Sequence, residues 1–245
     1  MKEPQLYYTA YEKRYRAAYD AGIPLWGHGP DDESLAAVLA EWVEINNLAG
    51  KRIIEFACGE GSSGVILSKL GCIYHGVDIA LSALEKAKYA LADYPDASVS
   101  LLDMVRETDG GIYDAALDVM GFHMLVTDAD RAAYLHNACA SLKPGAPMLF
   151  FRESYRRDME EITVSSFDEW VRMSGSDYIT PEKREMRGKE VWIPLLPARA
   201  RSEAGYRKEF TGAGFTVEQF EEMEISRQIS FSASIYVRKT FEGDR

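Results

Sequence analysis

The sequence has little of what builds a metal centre or a disulfide framework. Its three cysteines, Cys58, Cys72 and Cys139, form no CxxC pair, and its four histidines show no metal-ligand spacing. This excludes a disulfide scaffold and structural zinc, predicts no metal, and reads as a reduced, cytoplasmic protein. No apolar run approaches the roughly 18 residues that a membrane span requires. The opening Met1-Lys2-Glu3-Pro4-Gln5 has no hydrophobic signal core. Basic residues are in deficit: 28 Lys and Arg against 39 Asp and Glu leave a net charge of −11. That balance argues against a nucleic-acid partner and against an anionic membrane. Internal repeats and low-complexity segments are absent as well. What is present is an apolar fraction of 47% over 245 residues, ample for one cored domain with additions.

The most informative stretch is Ile53-Ile54-Glu55-Phe56-Ala57-Cys58-Gly59-Glu60-Gly61-Ser62-Ser63-Gly64. It reads as an apolar strand, a glycine-rich turn and the start of a helix. Two glycines one residue apart let the backbone turn tightly and approach a ligand that a Cβ would exclude. Asp78 ends the next apolar run, Ile73 to Val77, where a carboxylate can accept from both ribose hydroxyls of an adenosine. Gly59-x-Gly61-x-x-Gly64 also fits a dinucleotide fingerprint with its acid about 20 residues on. Glu55 shifts the balance, because a carboxylate repels a diphosphate and attracts a cation. S-adenosylmethionine carries a sulfonium and an ammonium, and Glu55 suits the ammonium side. The competing reading is a generic turn with a buried glutamate, which would need a partner to offset its burial.

Around this turn the pattern alternates. Tyr8, Tyr11, Tyr15 and Tyr19 share one face of an opening helix that Gly22 ends. Pro24 to Pro30 reads as an ordered loop. Asp31 or Asp32 caps a second helix with Leu35, Val38, Leu39 and Trp42 inward. Strands are expected at 53–56, 73–78, 99–103, 113–120 and 148–151, with helices at 63–70, 82–92 and 128–142 between them. Such alternation predicts a parallel sheet covered on both faces. The tail differs: a helix at 167–173, a solvated charged loop at 183–189, an apolar run at 191–196, a helix at 202–211, and strands at 215–220 and 229–237. The connection Glu221–Arg227 is too short for a crossover helix, so the last strand is expected to be antiparallel.

Together these motifs resemble the class I S-adenosylmethionine-dependent methyltransferases, strongly over residues 50–151 and at the level of topology over 200–240. Glu55-x-x-x-Gly59-x-Gly61 looks like that family's first motif, with Ala57-Cys58 where many members read Gly-Cys. Asp78, followed by Ile79, matches its ribose-binding acid. Asp103-Met104 matches the strand end that meets the adenine. Leu142-Lys143-Pro144-Gly145 matches the loop before the fifth strand. A finer likeness runs from Asp118 through Gly121 and His123 to Tyr134. That segment resembles the small-molecule branch typified by thiopurine and tellurite-resistance methyltransferases, with one extra residue between Asp118 and Gly121. Pro24-Leu25-Trp26 and Gly29-Pro30 resemble that branch's tryptophan loop. The resemblance implies an α/β fold: a doubly wound, mostly parallel seven-stranded Rossmann-like sheet with an antiparallel last strand, N-terminal helices and an inserted lid. It implies S-adenosylmethionine as cofactor and a small-molecule methyl acceptor. It places Trp26, Glu55, Ala57, Gly59, Gly61, Asp78, Ile79, Asp103, Met104 and Asp118 at the cofactor.

The expected organisation is a helical cap at 1–49, a cofactor-binding core at 50–151, a substrate-side lid at 152–200 and a helix with a hairpin at 201–245. His123 and Glu153 are the candidate acid–base residues, since both fall at the carboxyl ends of strands, where open α/β sheets bind ligands. The bland alternatives are a structural histidine and a buried Arg152–Glu153 ion pair. The tyrosine stripe reads first as core packing and second as a substrate box. Methyl transfer from a sulfonium needs an acceptor in line and water excluded, with a base only if the acceptor keeps a proton. A nicotinamide-dependent oxidoreductase and a catalytically silent scaffold are the competing functions, and a homodimer is left open.

Overall fold

The computed structural model describes residues 6–223 and 231–241. A single 3₁₀ turn, Tyr7–Thr9, leads into α1 (Ala10–Asp20) and then α2 (Glu33–Ile45). The alternating core follows as β1 (Arg52–Phe56), α3 (Ser62–Lys69), β2 (Ile73–Asp78), α4 (Leu81–Ala90), β3 (Ala97–Leu101), β4 (Ala115–Val119), α5 (Asp128–Ala140) and β5 (Pro147–Ser154). The tail comprises α6 (Phe167–Ser174), β6 (Pro181–Met186), β7 (Lys189–Pro194), α7 (Glu203–Gly212), β8 (Phe215–Met223) and β9 (Ser232–Lys239).

Seven strands form one sheet in the order β3-β2-β1-β4-β5-β9-β8. β1 to β5 are mutually parallel, and β9 runs antiparallel to both β5 and β8. The expected antiparallel last strand is therefore observed, although most of the Glu221–Arg227 connection and the expected strand start at Ile229 lie outside the described residues. Strand order reverses between β1 and β4, and that reversal opens the crevice where open α/β sheets bind ligands.

The two-residue alternation of each strand divides the core. Ile54, Phe56, Ala116, Met148, Phe150 and Ile235 face α5 and α7, where Tyr134, Leu135, Tyr206 and Phe210 meet them. Ile53, Ala115, Leu117, Leu149 and Phe151 face α2, α3 and α4 through Leu35, Leu39, Trp42, Leu67 and Leu84. Each fully buried Leu or Phe stabilises the fold by about 1.5–3 kcal/mol. Asp32 caps α2 through its side chain and Ser202 caps α7 in the same way.

One element departs from expectation. The charged stretch 183–189, expected as a solvated loop, is a β-hairpin in which β6 pairs antiparallel with β7 outside the main sheet. Arg187 and Gly188 both adopt positive φ, at 49° and 76°, which is the geometry of a tight two-residue hairpin turn. Every second residue of β7 then points one way: Val191 and Ile193 bury against Ala18 and Ile23 of the α1 region. The alternation was hidden because β6 carries charge at nearly every position. Among the described residues, no helix is long and apolar enough to cross a membrane.

Candidate functional site

The site begins at the turn after β1. The chain leaves Phe56 through Ala57 at φ 53°, Gly59 at 52° and Gly61 at 79°. The two glycines have different jobs. A Cβ on Gly59 would lie 2.7 Å from the Tyr15 hydroxyl, whereas one on Gly61 would lie 3.0 Å from the Ala87 Cβ. Gly59 thus keeps space beneath an aromatic roof, and Gly61 lets α3 and α4 pack closely. Asp78 fixes the turn from the neighbouring strand, with Oδ2 accepting from the Gly59 N–H and Oδ1 from the Ala80 N–H, both at 2.8 Å.

Over this turn arches the N-terminal segment, bonded around the rim of the sheet. The Tyr8 hydroxyl donates to Asp103 at 3.2 Å, just beyond β3. Glu12 accepts from the Ser82 N–H and hydroxyl at the start of α4. The Tyr7 hydroxyl donates to Asp130 and accepts from the Val126 N–H. Arg152 grips Asp32 with both terminal nitrogens, at 2.7 and 3.1 Å. Glu60, between the two glycines, accepts from the backbone N–H groups of Trp26 and Gly27 and from the Tyr19 hydroxyl. That carboxylate joins the glycine-rich turn directly to the Trp26 loop. The β6–β7 hairpin backs the roof from outside, where Lys189 donates to the Gly22 carbonyl at 2.7 Å.

Beneath the roof lies a cavity of about 390 Å³. Glu55, Ala57, Gly59 and Asp78 form its floor near the turn, with Ile79, Asp103 and Met104 beside them. Tyr8, Tyr11, Tyr15 and Trp26 form its cover, and Met120, Met124, Leu125, His28 and Arg152 line the rest together with smaller contributors. Of the tyrosine stripe, Tyr8, Tyr11 and Tyr15 line the cavity, Tyr8 also packs in the core, and Tyr19 lies off the wall, bonded to Glu60. Trp26 packs edge-on to Tyr15 with ring centroids 4.7 Å apart. Three non-glycine residues on this wall hold left-handed backbone: Ala57, Met120 at φ 63° and Arg152 at φ 61°. They follow or interrupt β1, β4 and β5, three adjacent strands. Such conformations cost about 1–2 kcal/mol each and concentrate where function constrains the chain.

Burial of individual groups dominates the electrostatics. Burial pushes the Glu55 carboxyl up to about 7, opposed by the hydrogen bond it accepts from Tyr74. Tyr74 is the partner that sequence reading could not supply. Burial also raises Asp78, although backbone N–H donors at Ala80 and Gly59 hold it back. Burial and the neighbouring Arg152 charge push the His28 imidazole down to about 4.

Other expected residues lie off the wall. Asp118 is fully buried in β4. It accepts from the Gly121 and Phe122 N–H groups and from the Tyr134 hydroxyl, bonds that shape the turn beneath Met120. His123 and Glu153 are brought together, with Glu153 Oε2 2.9 Å from His123 Nδ1 and 2.7 Å from the His123 N–H donor. Both are buried and neither lines the cavity. The alternative Arg152–Glu153 ion pair does not form, because the bulge between Phe150 and Glu153 sends the two side chains to different partners. Sequence reasoning missed Glu60, Tyr74 and His28 as contributors, and read Tyr11 first as core packing and only second as part of a site. A charged residue between two turn glycines was the one available signal.

Residues 54–148 match the family model described as a methyltransferase domain. A curated relative, the ribosomal protein L11 methyltransferase of Cupriavidus metallidurans, is 24% identical over 196 residues. The match takes in 72% of this chain and 58% of that protein, so the chain spans little more than half the relative's length. Among solved structures, magnesium protoporphyrin IX methyltransferase from Synechocystis with bound S-adenosylmethionine superposes with a TM-score of 0.66 at 15% identity, over 98% of this chain and all of that one. The 1,6-didemethyltoxoflavin-N1-methyltransferase of Burkholderia thailandensis gives 0.65 at 13% identity, over 98% and 92% of the two chains. At these identities the likeness is one of fold.

Proposed function

We propose that this chain is a class I S-adenosylmethionine-dependent methyltransferase that transfers a methyl group to a small-molecule acceptor, a reading supported by its methyltransferase-domain match and its sheet. The observation that carries the proposal is the joint placement of the Gly59 turn and the Asp78 carboxylate on one cavity at the switch point of the sheet. The residues fit the cofactor. Gly59 leaves room where a Cβ would collide, and Asp78 presents a carboxylate to the cavity while its backbone donors hold it in place. In this reading Asp78 receives the ribose hydroxyls, Asp103 and Met104 flank the adenine, and Glu55 faces the ammonium. S-adenosylmethionine, when bound, supplies an electrophilic methyl group. The chain's own work is then to align the acceptor and exclude water, which the Tyr8–Tyr11–Tyr15–Trp26 cover is placed to do.

The aromatic cover over the cavity and the small-molecule methyltransferases among the solved structures support a small acceptor, although the curated relative is named for a ribosomal protein. Calorimetric titration with S-adenosylhomocysteine, NAD and NADP tests the cofactor assignment. Binding of the first alone is expected, and binding of a nicotinamide dinucleotide instead would overturn it. A methyl-release assay over small acceptors and over ribosomal protein then separates the two acceptor classes.

A further inference from the structure

We propose that His28 is the proton acceptor of the reaction, taking the proton that an O–H or N–H nucleophile sheds as it is methylated. The inference rests on the methyltransferase reading above. His28 is the histidine on the cavity wall. His123 is turned to Glu153, His75 to Ser98, Ser100 and Asp109, and His136 is exposed on α5. The backbone around His28 is held from two directions: its carbonyl accepts from the Ser62 hydroxyl at 2.7 Å, and the preceding Gly27 N–H donates to Glu60 at 2.9 Å. Its ring, by contrast, makes no hydrogen bond to any described residue. A positioned loop thus carries an imidazole whose nitrogens remain available, on a cavity wall whose carboxylates Glu55, Glu60, Asp78 and Asp103 each already accept hydrogen bonds from described residues. The charged groups facing the ring are Arg152 and Asp32, themselves ion-paired.

The ring is neutral at pH 7, since burial and Arg152 lower it to about 4 against the opposing pull of Asp32. A weak base is adequate here. The heteroatom's lone pair forms the new bond to the methyl carbon while the carbon–sulfur bond breaks and leaves its electron pair on sulfur. As that bond forms, the heteroatom gains positive charge and its proton becomes far more acidic, so the proton passes to the free imidazole nitrogen in the same step. The imidazolium then releases it to water, and His28 returns to its starting state. A thiolate has no proton to give, so the proposal commits to an oxygen or nitrogen acceptor. His123, engaged with Glu153 behind the wall, has no such access.

The test has an arm that needs no acceptor. Diethyl pyrocarbonate modifies neutral, unbonded imidazoles, so peptide mass mapping at pH 6.5 should find His28 modified and His123 untouched. An unreactive His28 overturns the proposal. In the second arm, His28→Ala should bind S-adenosylhomocysteine within about threefold of wild type, while methyl release to catechol or aniline falls about 100-fold or more. Added imidazole should restore part of that rate, which a merely structural role would not allow. An unchanged rate, or no rescue, also overturns it. Where neither probe is methylated by wild type, the carbethoxylation result decides. If wild type fails to bind S-adenosylhomocysteine at all, it is the methyltransferase reading that falls.

Discussion

Asp78 is the residue on which the cofactor assignment turns. Its two oxygens each accept a backbone N–H and still face the cavity, so the carboxylate is oriented before any ligand arrives. Charge-assisted hydrogen bonds are worth about 1.5–3 kcal/mol each. Asp78→Ala is therefore expected to weaken S-adenosylhomocysteine binding by roughly ten-fold to several hundred-fold, read by calorimetry on the folded variant. An unchanged dissociation constant would remove Asp78 from the site. Gly61 shows the limit of motif logic at this scale. By spacing alone it belongs with Gly59 at the ligand, yet its missing Cβ makes room for Ala87 and Leu91 of the neighbouring helix. Gly61→Val should accordingly lower the urea midpoint by forcing α3 from α4, through both the collision and the left-handed φ of 79°. If stability held and only ligand binding fell, the packing account would be wrong.

At the scale of elements, the roof is the part with a mechanism of its own. α1 and the Trp26 loop touch the ends of several strands, and the glycine turn holds them through the buried Glu60 carboxylate and through the Ser62 hydroxyl, which donates to the His28 carbonyl. Removing the carboxylate leaves the Trp26 and Gly27 N–H groups without acceptors. Glu60→Ala should raise hydrogen exchange at those two amides while β1 and α3 stay protected. Equal protection in variant and wild type would show that Glu60 does not hold the loop. The core elements were legible because their periods are clean: apolar runs in β1, β4 and β5, and helix stops at Gly22, Gly71 and Pro144. The β6–β7 hairpin was not, because its buried alternation involves only Val191 and Ile193 against a short helix, and its partner strand carries the unbroken charged run Glu182 to Glu185. The roof contacts were equally hidden. A hydrogen bond from Tyr8 to Asp103 or from Trp26 to Glu60 joins residues far apart in the chain, and no local pattern encodes it. His123 and Glu153 were legible as a pair at strand ends, but the bulge that turns them away from the cavity depends on how β5 meets β9.

At the scale of the whole molecule, the buried ionisable groups set how stability follows pH. Glu55 carries a folded value of about 7 against an ordinary 4.5, so the folded state binds its proton more tightly than the unfolded chain does. Its contribution is present below pH 4.5 and is lost as pH rises through 7. His28 runs the other way. Its folded value of about 4 lies below the ordinary 6.5, so the unfolded chain binds that proton more tightly, and stability is lost as pH falls from 6.5 to 4. Each group alone imposes a slope of about 1.4 kcal/mol per pH unit within its window. Between about pH 4.5 and 6.5 the two slopes oppose one another, and wild-type stability should vary less there than either group alone would dictate. Single substitutions separate them. Glu55→Gln keeps an acceptor for Tyr74 and removes the acid, so the variant's stability should rise relative to that of wild type as pH goes from 4.5 to 6.5. His28→Gln leaves Glu55 unopposed, with Asp78 and Asp118 shifted upward in the same sense, so stability should decline over that interval. Urea unfolding of the three proteins at pH 5 and 6.5 reads the slopes directly. Two variants that follow the same pH dependence would mean that Glu55 and His28 are not the groups that govern it.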